Sequence, residues 1–197
     1  MPRPSSLCSA APDSCRRLHE TVPPRILVMG APGSGKTTLV RRLLELVPGI
    51  EASGFYTEEL RGPRGRTGFR VVGLDGQSAR LAALGGQGGP RVGRYTVHLA
   101  QFEAVALPML EVRPSAGLLV IDEIGKMECL STAFVEAARR ALAAPVPLVG
   151  TVALAGGGFI PEAKRARGVE VIEILTENRD RLPAELAARL RASWPEA

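Results

Sequence analysis

From residue 25 a mostly apolar block, RILVMG, gives way to a glycine-rich stretch. Apolar positions then recur at three- and four-residue spacing: Leu39, Val40, Leu43, Leu44 and Val47. The block predicts a short buried strand over 25–30. The spacing predicts a helix over 36–47, stopped by Pro48-Gly49. Strands follow at 50–60 and 66–76, separated by the turn RGPRG at 61–65. Asp75-Gly76 is a hairpin-type signal, LGGQGGP at 84–90 is a loop, and 91–99 alternates as a further strand. These segments predict an antiparallel hairpin insertion across about 56–98.

The second half of the chain repeats one rhythm. A helix is expected over 101–112, bent or shortened by Pro108. GLLVID at 117–122 is a wholly apolar strand ending in a carboxylate. An amphipathic helix over 129–144 turns Leu130, Phe134, Val135, Ala138 and Leu142 inward. Strands at 146–152 and 169–175, a short helix at 159–166 and a last helix at 182–194 complete the pattern, with Leu186 and Leu190 one turn apart. Apolar strands separated by helices imply an α/β fold with a mostly parallel sheet and helices on both faces. There is no internal repeat, and 25–197 reads as a single domain.

The chemistry sits in the connections. Between the first strand and first helix lie Gly30, Ala31, Pro32, Gly33, Ser34, Gly35, Lys36 and Thr37, the pattern G-x-x-x-x-G-K-[ST] of a P-loop. Glycines let successive N–H groups point into one nest, and the helix start adds positive potential. Lys36 can reach β- and γ-phosphate oxygens, Thr37 can ligate Mg²⁺, and Thr38 is a candidate for the α-phosphate. A P-loop needs an acidic residue at the end of another buried strand. LLVIDEIGKME at 118–128 supplies Asp122 for the metal and Glu123 to polarise a water. The adjacent Asp-Glu pair is typical of hydrolytic ATPases of the RecA-like class.

Five stretches in matching order carry a resemblance: GAPGSGKTTLV, GFYTEE (54–59), GRYTVHLAQFEAVALPML (93–110), VIDEIGKMEC (120–129) and TENRD (176–180). Over about 25–195 the chain resembles the cancer-related nucleoside-triphosphatase family, small P-loop nucleoside-triphosphatases with bacterial and archaeal thermophile members. The resemblance implies a compact RecA-like P-loop NTPase fold. It also implies Mg²⁺-dependent hydrolysis of ATP, GTP, CTP and UTP with broad base tolerance. By motif correspondence, nucleotide binding would fall on residues 30–37 and on Leu119, Val120, Ile121, Asp122, Glu123, Ile124, Gly125 and Lys126. The 153–168 stretch departs from the family: it is shorter than in the animal relatives and closer to bacterial forms. Residues 1–24 are not a family feature.

Other residues keep two readings each. Lys126 either approaches the phosphates or forms an ion pair with Glu123 or Glu128. Tyr56, Thr57, Glu58 and Glu59 leave their strand near the expected catalytic edge, with Tyr56 and Glu58 on one face and Thr57 and Glu59 on the other. One of these glutamates shares the water or metal shell, or the segment is simple hairpin. Asn178 and Arg179 are base-contact candidates, or Asn178 caps a helix-entry turn. The guanine-reading pattern Asn-Lys-x-Asp is not met, because Asp180 comes one residue early. Arg139, Arg140, Arg165, Arg167, Arg179 and Arg181 are equal candidates for an arginine finger. A phosphotransferase acting on a nucleotide or small metabolite is the main alternative. A nucleic-acid-linked ATPase is a third reading.

Bulk properties narrow these choices. The 197 residues carry a formal charge of +5, and 45% are hydrophobic. Part of the surplus lies in residues 1–25, where Arg3, Arg16, Arg17 and Arg25 face only Asp13 and Glu20. The remainder shows no basic stripe, so a nucleic-acid partner is not expected. Lys36, Lys126 and Lys164 are the only lysines among 25 basic residues, which makes a lysine inside a motif informative. Three cysteines, Cys8, Cys15 and Cys129, suggest neither a disulfide framework nor a zinc site. No apolar run reaches the roughly 18–20 residues of a membrane span. A cytoplasmic monomer is the expectation. Residues 1–24 read as a disordered tail or start-site artefact rather than a transit peptide.

Overall fold

A computed structural model of the chain describes residues 23–113 and 115–194. The readings of residues 1–22, with Cys8 and Cys15, fall outside the described residues. The elements are β1 (Arg25–Gly30), α1 (Lys36–Leu46), β2 (Ala52–Gly62), β3 (Gly65–Gly73), β4 (Ser78–Leu84), β5 (Arg91–Val92), β6 (Tyr95–Val97) and α2 (Leu99–Met109). They continue with β7 (Leu118–Ile124), a 3-10 turn at Glu128–Leu130, α3 (Thr132–Ala143), β8 (Leu148–Ala153), α4 (Phe159–Lys164), β9 (Val169–Glu173) and α5 (Leu182–Ser193).

All nine strands join one sheet in the order β5-β6-β4-β3-β2-β7-β8-β1-β9. From β2 to β9 every neighbouring pair is parallel. From β2 to β5 every pair is antiparallel. The expected hairpin insertion therefore does not stand apart. It prolongs the parallel sheet as an antiparallel wing, and β2 belongs to both halves. One strand of the wing, β4, was not expected. Its SARLAAL sequence is alanine-rich and weakly strand-forming, and it is held by pairing with β3 on one side and β6 on the other. The strand expected over 91–99 is broken by a turn at Gly93-Arg94 into β5 and β6.

Helices cover both faces. α1 and α5 bury Leu39, Val40, Leu43, Leu186 and Leu190 against one. α2 and α3 cover the other, where Phe55, Phe102 and Phe134 meet edge-to-face with centroids 5.3–5.9 Å apart. Pro108 lies inside the last turn of α2, which ends one residue later, well short of residue 112. The chain enters α3 through the 3-10 turn, so α3 starts at Thr132 and not at 129. Leu130 consequently points outward, at 39% exposure, instead of inward as its spacing suggested. No described helix is long and apolar enough to cross a membrane.

The strand order matters for the site. β8 lies between β1, which leads into the P-loop, and β7, which carries Asp122. The two motifs meet across an intervening strand, at the edge where the parallel strands end.

Candidate active site

The chain leaves β1 at Gly30 and curls into α1. Gly33 and Gly35 take φ of 79° and 102°, a left-handed region that side chains rarely enter. The turn closes through a hydrogen bond from Ser34 N to Ala31 O, 3.1 Å. α1 begins with no side-chain cap and no acidic residue in its first turn. α3 is built the other way, with Ser131 Oγ accepting from Phe134 N at 2.9 Å. The first amides of α1 thus stay available to an anion, with the helix dipole behind them. Lys36 is buried, and its ammonium donates to Gly30 O at 3.0 Å. The Ser34 hydroxyl is buried in the same curl with no partner among the described residues. Thr38 is exposed at the outer side.

Across the cleft, β7 loses its regular register against β8. Ile121 pairs with Gly150 and Ile124 with Val152, so Asp122 and Glu123 together oppose the single residue Thr151. This is a bulge, which re-aims neighbouring side chains that would otherwise alternate between faces. Asp122 is wholly buried. Its Oδ2 accepts from Thr37 Oγ1 at 2.7 Å and from Thr57 N at 3.4 Å. Its Oδ1 accepts from Thr151 Oγ1. Burial pushes the Asp122 carboxyl above its ordinary range, against the hydrogen bonds from Thr151 and Thr37. Glu123 Oε2 lies 3.6 Å from Lys36 Nζ. Burial also raises the Glu123 carboxyl; Lys36 opposes the rise and Asp122 adds to it.

A third carboxylate joins them. Glu128 is only 5% exposed. Burial, with Glu123 as the next cause, pushes its carboxyl up to about 8. Gly125 keeps the space between the two glutamates. A Cβ there would stand 2.6 Å from Glu128 Oε2 and 3.0 Å from Glu123 Cγ and Oε1.

A family model described as NTPase matches residues 25–187. The chain belongs to this NTPase family. It is 36% identical over 184 residues to the mouse cancer-related nucleoside-triphosphatase homolog, covering 85% of this chain and 97% of that one. It is 38% identical over 163 residues to nucleoside-triphosphatase THEP1 of Thermotoga petrophila, covering 82% and 90%. Among solved structures, THEP1 from Aquifex aeolicus superposes with a TM-score of 0.76 at 34% identity, covering 84% of this chain and 98% of that one. The solution structure of a human cancer-related nucleoside triphosphatase gives 0.74 at 36% identity, covering 87% and 100%.

In this NTPase the remaining sequence candidates fall into distinct places. Leu119, Val120, Ile121 and Ile124 turn their side chains into the two cores and support the site from behind. Lys126 is exposed and forms no ion pair with Glu123 or Glu128 among the described residues; Glu123 pairs with Lys36 instead. Thr57 enters through its backbone N–H. Glu58 is occupied by Arg70, at 2.7 Å, and by Arg41, at 3.4 Å. Arg41 also lies over the Tyr56 ring. Glu59 pairs with Arg61 and Arg66. Asn178 spends its side chain on its own loop, accepting from Leu175 N and donating to Glu173 O, each at 2.8 Å. Arg179 is exposed on that loop. Arg139 is bound to Glu162, and Arg181 lies 3.2 Å from Glu185. Arg139, Arg165 and Arg167 line a cavity with Arg25, at the start of β1 and away from the P-loop.

Two site residues escaped the sequence reading. Thr151 looks like one polar residue in an apolar strand, and that interruption in VPLVGTV was the available signal. Glu128 looked like an ion-pair partner for Lys126, and nothing local told that it is buried.

Proposed function

We propose that this chain hydrolyses nucleoside 5′-triphosphates to the diphosphate and phosphate, with Mg²⁺ and with broad tolerance of the base. The observation that carries this reading is the 2.7 Å hydrogen bond from Thr37 to Asp122, which joins the P-loop and the acidic strand end in one site. The site suits a small hard cation. Asp122 is wholly buried with no Lys or Arg nitrogen within ion-pair distance among the described residues, and Thr37 adds a hydroxyl oxygen beside it. No cluster of three or more His, Cys, Asp or Glu suited to a metal occurs among the described residues. That agrees with a metal held by one or two protein oxygens and otherwise by phosphates and water. Thr37 and Asp122 would hold Mg²⁺, which when bound neutralises charge on the phosphate oxygens.

The P-loop amides and the start of α1 hold the phosphate oxygens, and Lys36 adds the positive charge that the transferring phosphoryl group needs. Glu123 is the general base. Its raised carboxyl accepts a proton from water more readily than an ordinary glutamate does. Lys36, 3.6 Å away, holds it at the mouth of the cradle. Broad base tolerance is supported by Asn178, whose amide is taken up by its own loop. Transfer of the phosphoryl group to an acceptor, the alternative that a P-loop alone allows, finds no support.

Phosphate release with ATP, GTP, CTP and UTP, with and without Mg²⁺, tests the reading. Comparable Mg²⁺-dependent release from all four is expected with no acceptor present. Glu123→Gln should retain nucleotide binding and lose about 10²–10⁴-fold in turnover. Full turnover in Glu123→Gln, or release only when an acceptor is added, would refute it.

A further inference from the structure

The strongest unexplained feature lies at the other edge of the sheet. A cavity of about 790 Å³, half open to solvent, lies between the end of α3, α4 and the turn that leads into β9, with Arg139, Arg165 and Arg167 on its exposed side. Its size is that of a small-molecule site. Arg25, Arg139, Arg165 and Arg167 line it, with Glu162 as the one acidic lining residue. Glu162 does not balance them, because both of its oxygens are taken by Arg139, at 2.8 and 3.0 Å. Arg25, Arg165 and Arg167 have no carboxylate partner among the described residues.

Arg25 is fixed in place. Its Nη2 donates to Ala144 O at 2.7 Å, while its Nε is buried with no acceptor among the described residues. A buried guanidinium N–H without an acceptor is costly unless something supplies one. Gly168 lies against the same guanidinium: a Cβ there would be 3.2 Å from Arg25 Nη1. The floor is apolar, formed by Leu142 and by Phe159, over whose ring Arg139 lies at 5.2 Å. Cationic forks over an apolar floor suit a ligand that carries phosphate on a compact organic body. A groove tracking a nucleic-acid backbone would instead extend as a stripe.

We propose that this cavity binds a phosphorylated small molecule, at a site separate from the P-loop. Arg25 opens β1 and the P-loop follows its last residue, so the two sites lie about 17 Å apart along the strand.

ADP is the probe, titrated by calorimetry into Lys36→Ala protein, in which the P-loop keeps its amides but loses its cation, so that its own hold on ADP is weakened. Expected is one bound ADP, weakened about a hundredfold by Arg165→Glu with Arg167→Glu, since two charge-assisted contacts are lost. Native mass spectrometry of otherwise wild-type protein gives a second readout that does not depend on Lys36→Ala folding. It should count two ADP, falling to one in the double arginine variant, with phosphate release at low nucleotide unchanged. Absence of a second ADP, binding indifferent to the two substitutions, or preference for a single-stranded oligonucleotide over ADP would overturn the proposal.

Discussion

Replacing Thr151 by Val should weaken the metal site proposed at Thr37 and Asp122 without touching any residue of either motif. Valine has nearly the shape of threonine, and position 151 is wholly buried, so packing is conserved. What disappears is the hydroxyl that donates to Asp122 Oδ1. Asp122 would keep only Thr37 Oγ1 and Thr57 N, the latter at 3.4 Å. A hydrogen bond to a charged group contributes about 1.5–3 kcal/mol. Its loss raises the Asp122 carboxyl further and leaves it less well oriented. Groups that orient a metal ligand typically contribute 10- to 100-fold in metal affinity or activity. The Mg²⁺ concentration for half-maximal phosphate release should therefore rise about tenfold or more, at saturating ATP. Thr151→Ser, which keeps the hydroxyl, should restore most of the loss. Unfolding in urea should register the same lost bond, a decrease of about 1.5–3 kcal/mol, with the fold retained. An unchanged Mg²⁺ dependence in Thr151→Val, with the fold intact, would show that the Thr151 contact does not hold Asp122 for the metal.

Gly125→Ala would push a methyl between Glu128 and Glu123, and since Glu128 is buried, Glu123 must yield. Turnover should fall about a hundredfold while nucleotide affinity holds, because small misplacements of a catalytic group cost that much; wild-type turnover would refute it. Glu128 has a folded-state carboxyl near 8 against 4.5 for the ordinary side chain, so the folded protein binds the extra proton between those values. Its contribution to stability is fully present below about pH 4.5 and is lost as pH rises toward about 8. Glu128→Gln should flatten the decline in urea stability over that window, and an identical pH profile in the two proteins would contradict the assignment. Ser131→Ala removes both the cap of α3 and a 2.6 Å bond to Glu103, and should cost about 1 kcal/mol or more by chemical denaturation; no loss would mean that α3 is held by packing alone.

Much of the site was legible because its physics is local. A nest of amides needs glycines and a helix start in one continuous stretch, and Gly30 to Thr37 provide both. A buried strand ending in Asp122 and Glu123 is likewise contiguous. The helices were legible where one apolar face decides them, as with Leu39, Val40 and Leu43 or Leu186 and Leu190. Where pairing decides, the reading weakened. β4 is a strand through its neighbours in the sheet rather than through its own residues. Leu130 kept a helical spacing but fell in the 3-10 turn, which faces it outward.

The sequence alone determined the kind of protein: a P-loop motif, a buried strand ending in two carboxylates, and the α/β sheet that presents them. The tertiary structure alone decided who stands beside whom. Inserting β8 between β1 and β7 brings Thr151 onto Asp122 from 29 residues away. The bulge in β7 sets two adjacent carboxylates against one partner residue. The turn after β7 buries Glu128, and the register of β1 with β9 gathers Arg25 with Arg165 and Arg167 at the far edge. The difference has one physical cause. Backbone conformation and periodic burial are encoded by residues near one another in the chain. Strand order and register arise from the whole core packing at once, and no short stretch records them.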